Sequence, residues 1–296
     1  MSTKHPIVAV TGSSGAGTTT VKNAFNDIFR REDITPAVIE GDSFHAFERS
    51  EMKEKMAEAE KKGENFSHFG PEANHFEKLE HLFKTYGETG SGQRRFYIHS
   101  DEEAAEHNER LGTDKNPGQF TPWEDLPQSD LLFYEGLHGG VADAAAGVDV
   151  AQWTDLLVGV VPAVNLEWIQ KISRDTAERG YDASQVTDTI LRRMHDYVHY
   201  ITPQFSRTHI NFQRVPLVDT SNPFIARDIP TPDESMVVIH FNAYKDQDWT
   251  HLMSMIKGSF MSRPNTLVVP GPKMGFAMEL ILNPIIHELV GNKSKS

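Results

Sequence analysis

Residues 8–21 read VAVTGSSGAGTTTV, an apolar β-branched run, a glycine-rich turn and then a polar stretch patterned as a helix. A turn of this kind makes an anion site, because its backbone N–H groups and the helix amino terminus point at one spot. Gly12 and Gly17 keep the spacing of G-x-x-x-x-G-K-[ST] and Thr19 takes the hydroxyl position, but Thr18 stands where the lysine belongs. Most of the cradle is backbone, so it survives loss of that lysine. Gly12, Ser13, Ser14, Gly15, Ala16, Gly17, Thr18, Thr19 and Thr20 are therefore the candidate nucleotide-phosphate site, with Thr19 the first choice as a ligand for Mg2+. A dinucleotide fingerprint fits less well, since from Gly15 the run is G-x-G-x-x-T.

Short β-branched runs alternate with helix-patterned stretches along the chain, the signature of a mostly parallel α/β sheet covered by helices on both faces. Strands are expected at Ile7 to Val10, Ala37 to Ile39, within DLLFYEG (130–136) and DLLVGVVP (155–162), and in RVPLVDT, MVVIHF and TLVVPG. Helices are expected at 18–31, 48–62, 72–86, about 165–178, about 184–199 and 273–289. Residues 87–129, rich in Gly, Pro, Glu and Gln, read as a long, loop-rich and partly mobile excursion within one domain spanning 1–296.

Lys+Arg number 29 against 42 Asp+Glu, a net charge of -13, so the molecule as a whole repels nucleic acid and anionic membranes. A phosphorylated substrate must be gathered by local bases. The chain has no cysteine, which excludes disulfides and thiolate metal sites. No apolar run has the length of a signal segment or a membrane span, and a soluble cytoplasmic protein is expected.

Glu135 ends the apolar run of LLFYEG, where a carboxylate would hold a metal or its waters. Glu40 and Asp42 in IEGDSFH occupy the equivalent edge after the second strand, and a carboxylate there can accept the proton of an attacking hydroxyl. His45 and Arg49 follow Asp42 closely, as a base needs beside phosphate ligands. Tyr97 and His99 in RRFYIHSD cover the sugar site from the excursion, or pack on their own domain. In NLEWIQKISRDTAERGY, helical spacing puts Lys171, Arg174, Asp175 and Arg179 within an arc of about 140°. That helix follows an apolar strand, so it can start at the ligand-binding edge, and Lys171 is the candidate to replace the missing loop lysine. His195 and His199 are spaced i, i+4 without a third ligand, and HELVG at 287–291 lacks the second histidine of a zinc-protease helix.

GSSGAGTTT, IEGDSFH, LLFYEGLHGG, GVVPAVNLEWIQKISRD, ILRRM, PQFSRTHINFQRVP and DTSNPF together resemble the bacterial class of phosphoribulokinases over nearly the whole chain, and a loop without the lysine is a feature of that family. The resemblance implies a P-loop fold like that of nucleoside-monophosphate kinases and ATP-dependent phosphorylation of the C1 hydroxyl of D-ribulose 5-phosphate. It implies Asp42 as catalytic base, Glu135 as the metal-associated acid and Asp175 as a second catalytic carboxylate. His45, Arg49, Arg174 and Arg179 would position the sugar phosphate and reacting groups, and Lys171 would act electrostatically. It further implies a homo-oligomer, usually an octamer, activated by NADH and inhibited by AMP. Arg31, Arg193 and Arg263 are similar in position to basic residues tied to effectors, whereas His240 stands where some members have arginine. Histidine is mostly neutral near pH 7, which leaves the effector response open.

Two other functions remain open on the residues themselves. A kinase of the same chemistry could act on a neutral acceptor such as uridine or pantothenate, although Arg49, Arg174 and Arg179 favour an acceptor that already carries phosphate. A nucleotide-dependent switch without kinase activity would be expected to carry an N-K-x-D motif, and the NK of GNKSKS has no following aspartate.

Overall fold

The structure, a computed structural model, describes residues 5–12, 18–177, 180–225, 228–242 and 247–293. In chain order its strands are β1 Ile7–Gly12, β2 Pro36–Glu40, β3 Gln93–Arg94, β4 Glu124–Asp125, β5 Leu131–Gly136, β6 Ala142–Asp143, β7 Val148–Asp149, β8 Leu156–Val161, β9 Ile210–Pro216, β10 Ser235–Phe241, β11 Phe260–Arg263 and β12 Thr266–Pro270. Its α-helices are α1 Thr18–Arg31, α2 Arg49–Lys62, α3 Phe76–Thr89, α4 Asp101–Leu111, α5 Val164–Ala177, α6 Ala183–Asp196, α7 Trp249–Met255 and α8 Met274–Lys293.

Eight strands form one sheet in the order β11-β12-β10-β9-β8-β1-β5-β2. The five strands from β9 to β2 are parallel, while β10, β12 and β11 run antiparallel at the other side. Side chains alternate across the sheet, as the period of two requires. Val8, Val10, Phe133 and Val158 pack on one face with Phe25 and Ile28 of α1 and Met278, Ile281 and Ile285 of α8. Ile7, Ala9, Leu132, Tyr134 and Leu157 pack on the other with Leu79, Phe83 and Tyr86 of α3. Burial on both faces explains why the central parallel strands β1, β5 and β8 read as nearly unbroken apolar runs.

The sequence expectations meet the structure unevenly. The stretch 87–129, read as loop-rich, carries α4, an eleven-residue helix, and the short β3–β4 ribbon. Its caps are ordinary: the Ser100 side chain accepts from the amide of Glu103, acids fill the first turn, and Gly112 closes the helix in the left-handed region at φ 64°. The helix expected from residue 72 starts at Phe76, after a 3-10 turn at Pro71–Ala73 that puts a proline at its first position. β9 lies four residues upstream of the expected RVPLVDT strand, because Ile210 and Phe212 are the buried alternate positions while Leu217 and Val218 are exposed. β11 and α7 have no counterpart in the sequence reading. Among the described residues, no helix is long and apolar enough to cross a membrane.

Candidate active site

Because β1, β2, β5 and β8 are parallel, their carboxyl ends share one edge, where open α/β sheets bind ligands. Gly12 stands there at the end of β1, beside Val160 of β8. A Cβ at Gly12 would lie 2.5 Å from the carbonyl oxygen of Val160, so only glycine lets the phosphate-loop strand lie this close to its neighbour. Gly12→Ala should therefore force β1 and β8 apart at the mouth of the loop. The expected cost is about 1–3 kcal/mol of stability, with weaker ATP binding; thermal denaturation and an ATP titration of the variant check both. Ser13, Ser14, Gly15, Ala16 and Gly17 lie outside the described residues, as do the side chains of Thr18 and Thr19. Thr20 is half-buried and its methyl group faces Gly275 at the start of α8.

Glu135 pairs in register with Val10 on one side and Glu40 on the other. Its carboxyl is pushed up from the usual range by burial, with Lys22 of α1 opposing and the negative charges of Glu40 and Asp42 adding. A half-buried carboxylate crowded by two others is a place where a divalent cation lowers the energy.

Asp42 sits in the 3-10 turn Gly41–Phe44 that follows β2. The turn passes hard against the end of β5: a Cβ on Gly41 would lie 2.7 Å from the Cα of Gly136, and one on Gly136 2.6 Å from the Cα of Gly41. This pair of glycines brings Asp42 to the same edge as Glu135. His45 Nε2 lies 3.3 Å from Asp42 Oδ1, and His99 Nε2 lies 3.7 Å from Oδ2. Burial alone would raise the Asp42 carboxyl, but the bond to His45 and the charges of His45, His99 and His68 outweigh it and hold it at about 2.

Asn74 sets the orientation of His45. Its amide nitrogen donates to the carbonyls of His68 at 2.9 Å and Gly70 at 2.7 Å, so its oxygen is the atom facing His45 Nδ1 at 2.7 Å. His45 Nδ1 is therefore a donor to Asn74, and Nε2 is the nitrogen left for Asp42. Tyr97 stands edge-on to the rings of His45 at 6.5 Å and His99 at 5.0 Å, with the Arg49 guanidinium 5.9 Å from its centroid. Arg49 opens α2, and its amide donates to the carbonyl of Gly118, whose φ of 95° favours glycine. Asp42, His45, Arg49, Tyr97 and His99 thus form one cluster.

A second cluster lies on α5. Lys171 Nζ is 2.5 Å from Asp175 Oδ2 and Arg174 Nε is 3.3 Å from Oδ1, around a carboxylate that is almost wholly buried. Burial, then the charge of Arg193 on α6, lowers the Lys171 ammonium from its ordinary range, while Asp175 opposes the shift. Arg193 also lies 5.7 Å from the centroid of Phe69. His68 joins the two clusters: its ring is 5.2 Å from that of His45, and burial together with the charges of Arg193, His45 and Lys171 pushes it down to about 3. Arg179 lies outside the described residues.

The four effector candidates fall on separate elements. Arg31, at the end of α1, pairs with Glu279 of α8 at 2.7 Å, and Arg193 stands with Lys171. His240 of β10 and the exposed Arg263 of β11 both register against Thr266 of β12, and His240 Nδ1 is 3.0 Å from the Thr266 hydroxyl. His195 and His199 stack on each other at 4.2 Å, and His195 contacts the buried Asp196.

Sequence reasoning missed Asn74, Lys22, Arg95 and Gln204. The buried Gln204 amide accepts from the Thr11 hydroxyl at 2.7 Å and the Gly140 amide at 2.9 Å, and donates to the carbonyls of Leu137 and Tyr200. It ties the end of β1 to the turn after Glu135. The one signal was its place in PQFSRTHINF, a polar residue shortly before a strand.

Comparison with known proteins agrees with this arrangement. The family model for the phosphoribulokinase / uridine kinase family matches residues 7–221. The chromosomal phosphoribulokinase of Cupriavidus necator is 60% identical, covering 100% of this chain and 99% of that protein. Phosphoribulokinase 1 of Cereibacter sphaeroides is 58% identical over 98% of both chains. The solved phosphoribulokinase from Rhodobacter spheroides superposes with a TM-score of 0.89 at 54% identity, covering 99% of this chain and all of that one. With a parallel sheet edge that carries Gly12, Asp42 and Glu135 and a match along its full length, the chain belongs to the bacterial phosphoribulokinases of the phosphoribulokinase / uridine kinase family.

Proposed function

We propose that the protein is an ATP-dependent kinase that phosphorylates D-ribulose 5-phosphate at its C1 hydroxyl, giving ribulose 1,5-bisphosphate and ADP for carbon fixation. The observation that carries this reading is the Asp42 carboxylate, held ionised between His45 and His99 with Arg49 close by, in a chain 60% identical to a phosphoribulokinase. Asp42 orients the attacking hydroxyl and takes its proton as the phosphoryl group leaves ATP. His45, Arg49, Tyr97, His99 and Arg179 hold the sugar phosphate. A bidentate guanidinium suits that dianion, whereas a neutral acceptor gives Arg49, Arg174 and Arg179 nothing to pair with.

The ATP phosphates lie on the loop from Gly12 through Thr20. Thr19 and Glu135 hold Mg2+, which neutralises charge on the phosphates when bound, and the crowding of Glu135 by Glu40 and Asp42 fits a cation there. Lys171 supplies the positive charge that Thr18 cannot, Asp175 holds Lys171 and Arg174 in place, and Arg174 faces the transferring group. NADH as activator and AMP as inhibitor act through Arg31, Arg193, His240 and Arg263 in a homo-oligomer, an octamer in the family pattern. One kinase domain spanning 1–296 carries both substrates.

The test is ADP release from ATP with ribulose 5-phosphate, uridine and pantothenate measured side by side. Turnover is expected with ribulose 5-phosphate alone. Equal or faster turnover of another acceptor would overturn the substrate assignment, and nucleotide binding without ADP release in any mixture would make the protein a switch rather than a kinase.

A further inference from the structure

Arg95 lies in the excursion that precedes β5, away from the motifs read above, and its contacts are with the turn that bears Asp42. Its Nε donates to the carbonyl of Ser43 at 2.8 Å and its Nη2 to the carbonyl of His45 at 2.6 Å. One planar guanidinium thus holds the backbone just after Asp42 and just after Phe44. Its carbon lies 3.6 Å from the centroid of Phe120 and 4.9 Å from that of Trp123. Trp123 in turn meets Phe44, within the turn, edge-on at 5.7 Å.

Other restraints on the turn come from the close approach of Gly41 to Gly136, the bond of His45 Nδ1 to Asn74 and the burial of Phe44, and none of these bonds the Ser43 or His45 carbonyl. The Phe44 carbonyl accepts from the amide of His75, the Ala46 amide donates to the carbonyl of Ala73, and the Ser43 hydroxyl bonds back to Glu40 at 2.5 Å. A 3-10 turn leaves its last carbonyls without partners in the helix, and a cation near that end satisfies them. Lysine would carry the charge and three donors, but on a single compact nitrogen at the end of a flexible stem, whereas the rigid guanidinium fork meets the two carbonyls with two separate nitrogens.

We infer that Arg95 is a positioning residue for phosphoryl transfer, clamping the Gly41–His45 turn so that the Asp42 carboxylate meets the acceptor hydroxyl in a fixed geometry. This rests on the reading of Asp42 as the proton acceptor. The hydrogen bonds of the Arg95 guanidinium go to the backbone carbonyls of Ser43 and His45, so Arg95 acts on the orientation of the turn that carries the carboxylate. Displacement of a reacting group by about 1 Å can cost about 100-fold in rate. Loss of the clamp therefore shows in kcat, while ATP, bound at the far side of the β5 end, keeps its KM.

The experiment is a double-mutant cycle of Arg95→Lys and Asp42→Asn in the full-length protein, assayed well below the melting temperature of each variant. Arg95→Lys is expected to lower kcat at least about tenfold, with KM for ATP within about twofold of the parent. In the Asp42→Asn background the same change should cost less than about twofold, because the residue it positions is gone. Independent losses that multiply would place the action of Arg95 elsewhere and overturn the inference. So would Arg95→Lys at parental kcat while Asp42→Asn is crippled, which leaves the reading of Asp42 intact. Full activity in Asp42→Asn would instead overturn that reading, and the clamp with it. If circular dichroism shows that Arg95→Lys does not fold, Phe120→Leu takes its place, since it removes the ring under the guanidinium and keeps the charge; the same outcomes decide.

Discussion

Asp42→Asn should lower kcat by about 10³-fold, within the range of about 10²–10⁴ that a positioned proton acceptor contributes, and leave ATP binding nearly intact. The loss corresponds to about 4 kcal/mol of transition-state stabilisation. Asparagine keeps the shape and can still bond His45 Nε2, so the turn should hold and the defect should be chemical. Steady-state kinetics with ATP and ribulose 5-phosphate, together with an equilibrium ATP titration, separate the two effects. Turnover equal to the parent would remove Asp42 from the mechanism.

The pH dependence follows from the same carboxylate. Its pKa in the folded protein is about 2, below the ordinary aspartate value, so the depressed case applies. Its contribution to stability is complete above about pH 4, the unfolded range, and is lost as pH falls through about 2. The side chain is 44% exposed, so solvent screens that contribution and its effect on stability is small. In kinetics the consequence is larger: Asp42 stays ionised across the working range, and no fall in kcat centred near pH 4 should trace to it. A base this weak accepts the proton only once bond formation to phosphorus has made the hydroxyl acidic, which fits the loose transition state of phosphoryl transfer.

What could be read from the sequence depended on whether a residue's role has a local signature. β1, β5 and β8 announce themselves because both faces are buried, and Gly12, Asp42 and Glu135 stand out because each lies at or just past the carboxyl end of a parallel strand. His45 and Arg49 lie within one turn and the start of the next helix, so their proximity to Asp42 is visible in the numbering. The helix α4 was hidden by its polarity: its capping serine and closing glycine were present, but Ala104 is its one buried position, so no apolar stripe marked it. β9 was misplaced because Leu217 and Val218 look like core residues and are exposed, while the buried alternation begins at Ile210. Arg95 and Gln204 left still less trace, since their partners are largely backbone carbonyls and amides far away in sequence, groups that every residue carries, and Asn74 bonds nearby backbone carbonyls with only its contact to the His45 ring reaching further. A polar side chain that satisfies distant backbone has no periodicity to betray it.

Lys171→Met should lower kcat more than about 100-fold if Lys171 stands in for the loop lysine, a loss in the range for one group that stabilises developing charge. Burial and Arg193 already press the ammonium toward losing its proton, and Asp175 holds it charged. An arriving phosphate would relieve that pressure, so the charge is best stabilised when substrate is bound. The substitution also removes the Lys171 ammonium from the buried Asp175 carboxylate, which Arg174 contacts as well at 3.3 Å. A loss of stability up to the about 3–5 kcal/mol of a broken buried pair is expected alongside, and thermal denaturation measures it separately from kcat. Lys22 provides the control. It sits one turn into α1 and is the cation that offsets the other carboxylates at Glu135, yet it is exposed. Lys22→Met should therefore leave kcat within about threefold of the parent, as solvent screens an exposed charge. Should Lys22→Met be the crippled variant and Lys171→Met the active one, the missing charge of the phosphate loop comes from its own helix, one turn after Thr18, and not from α5.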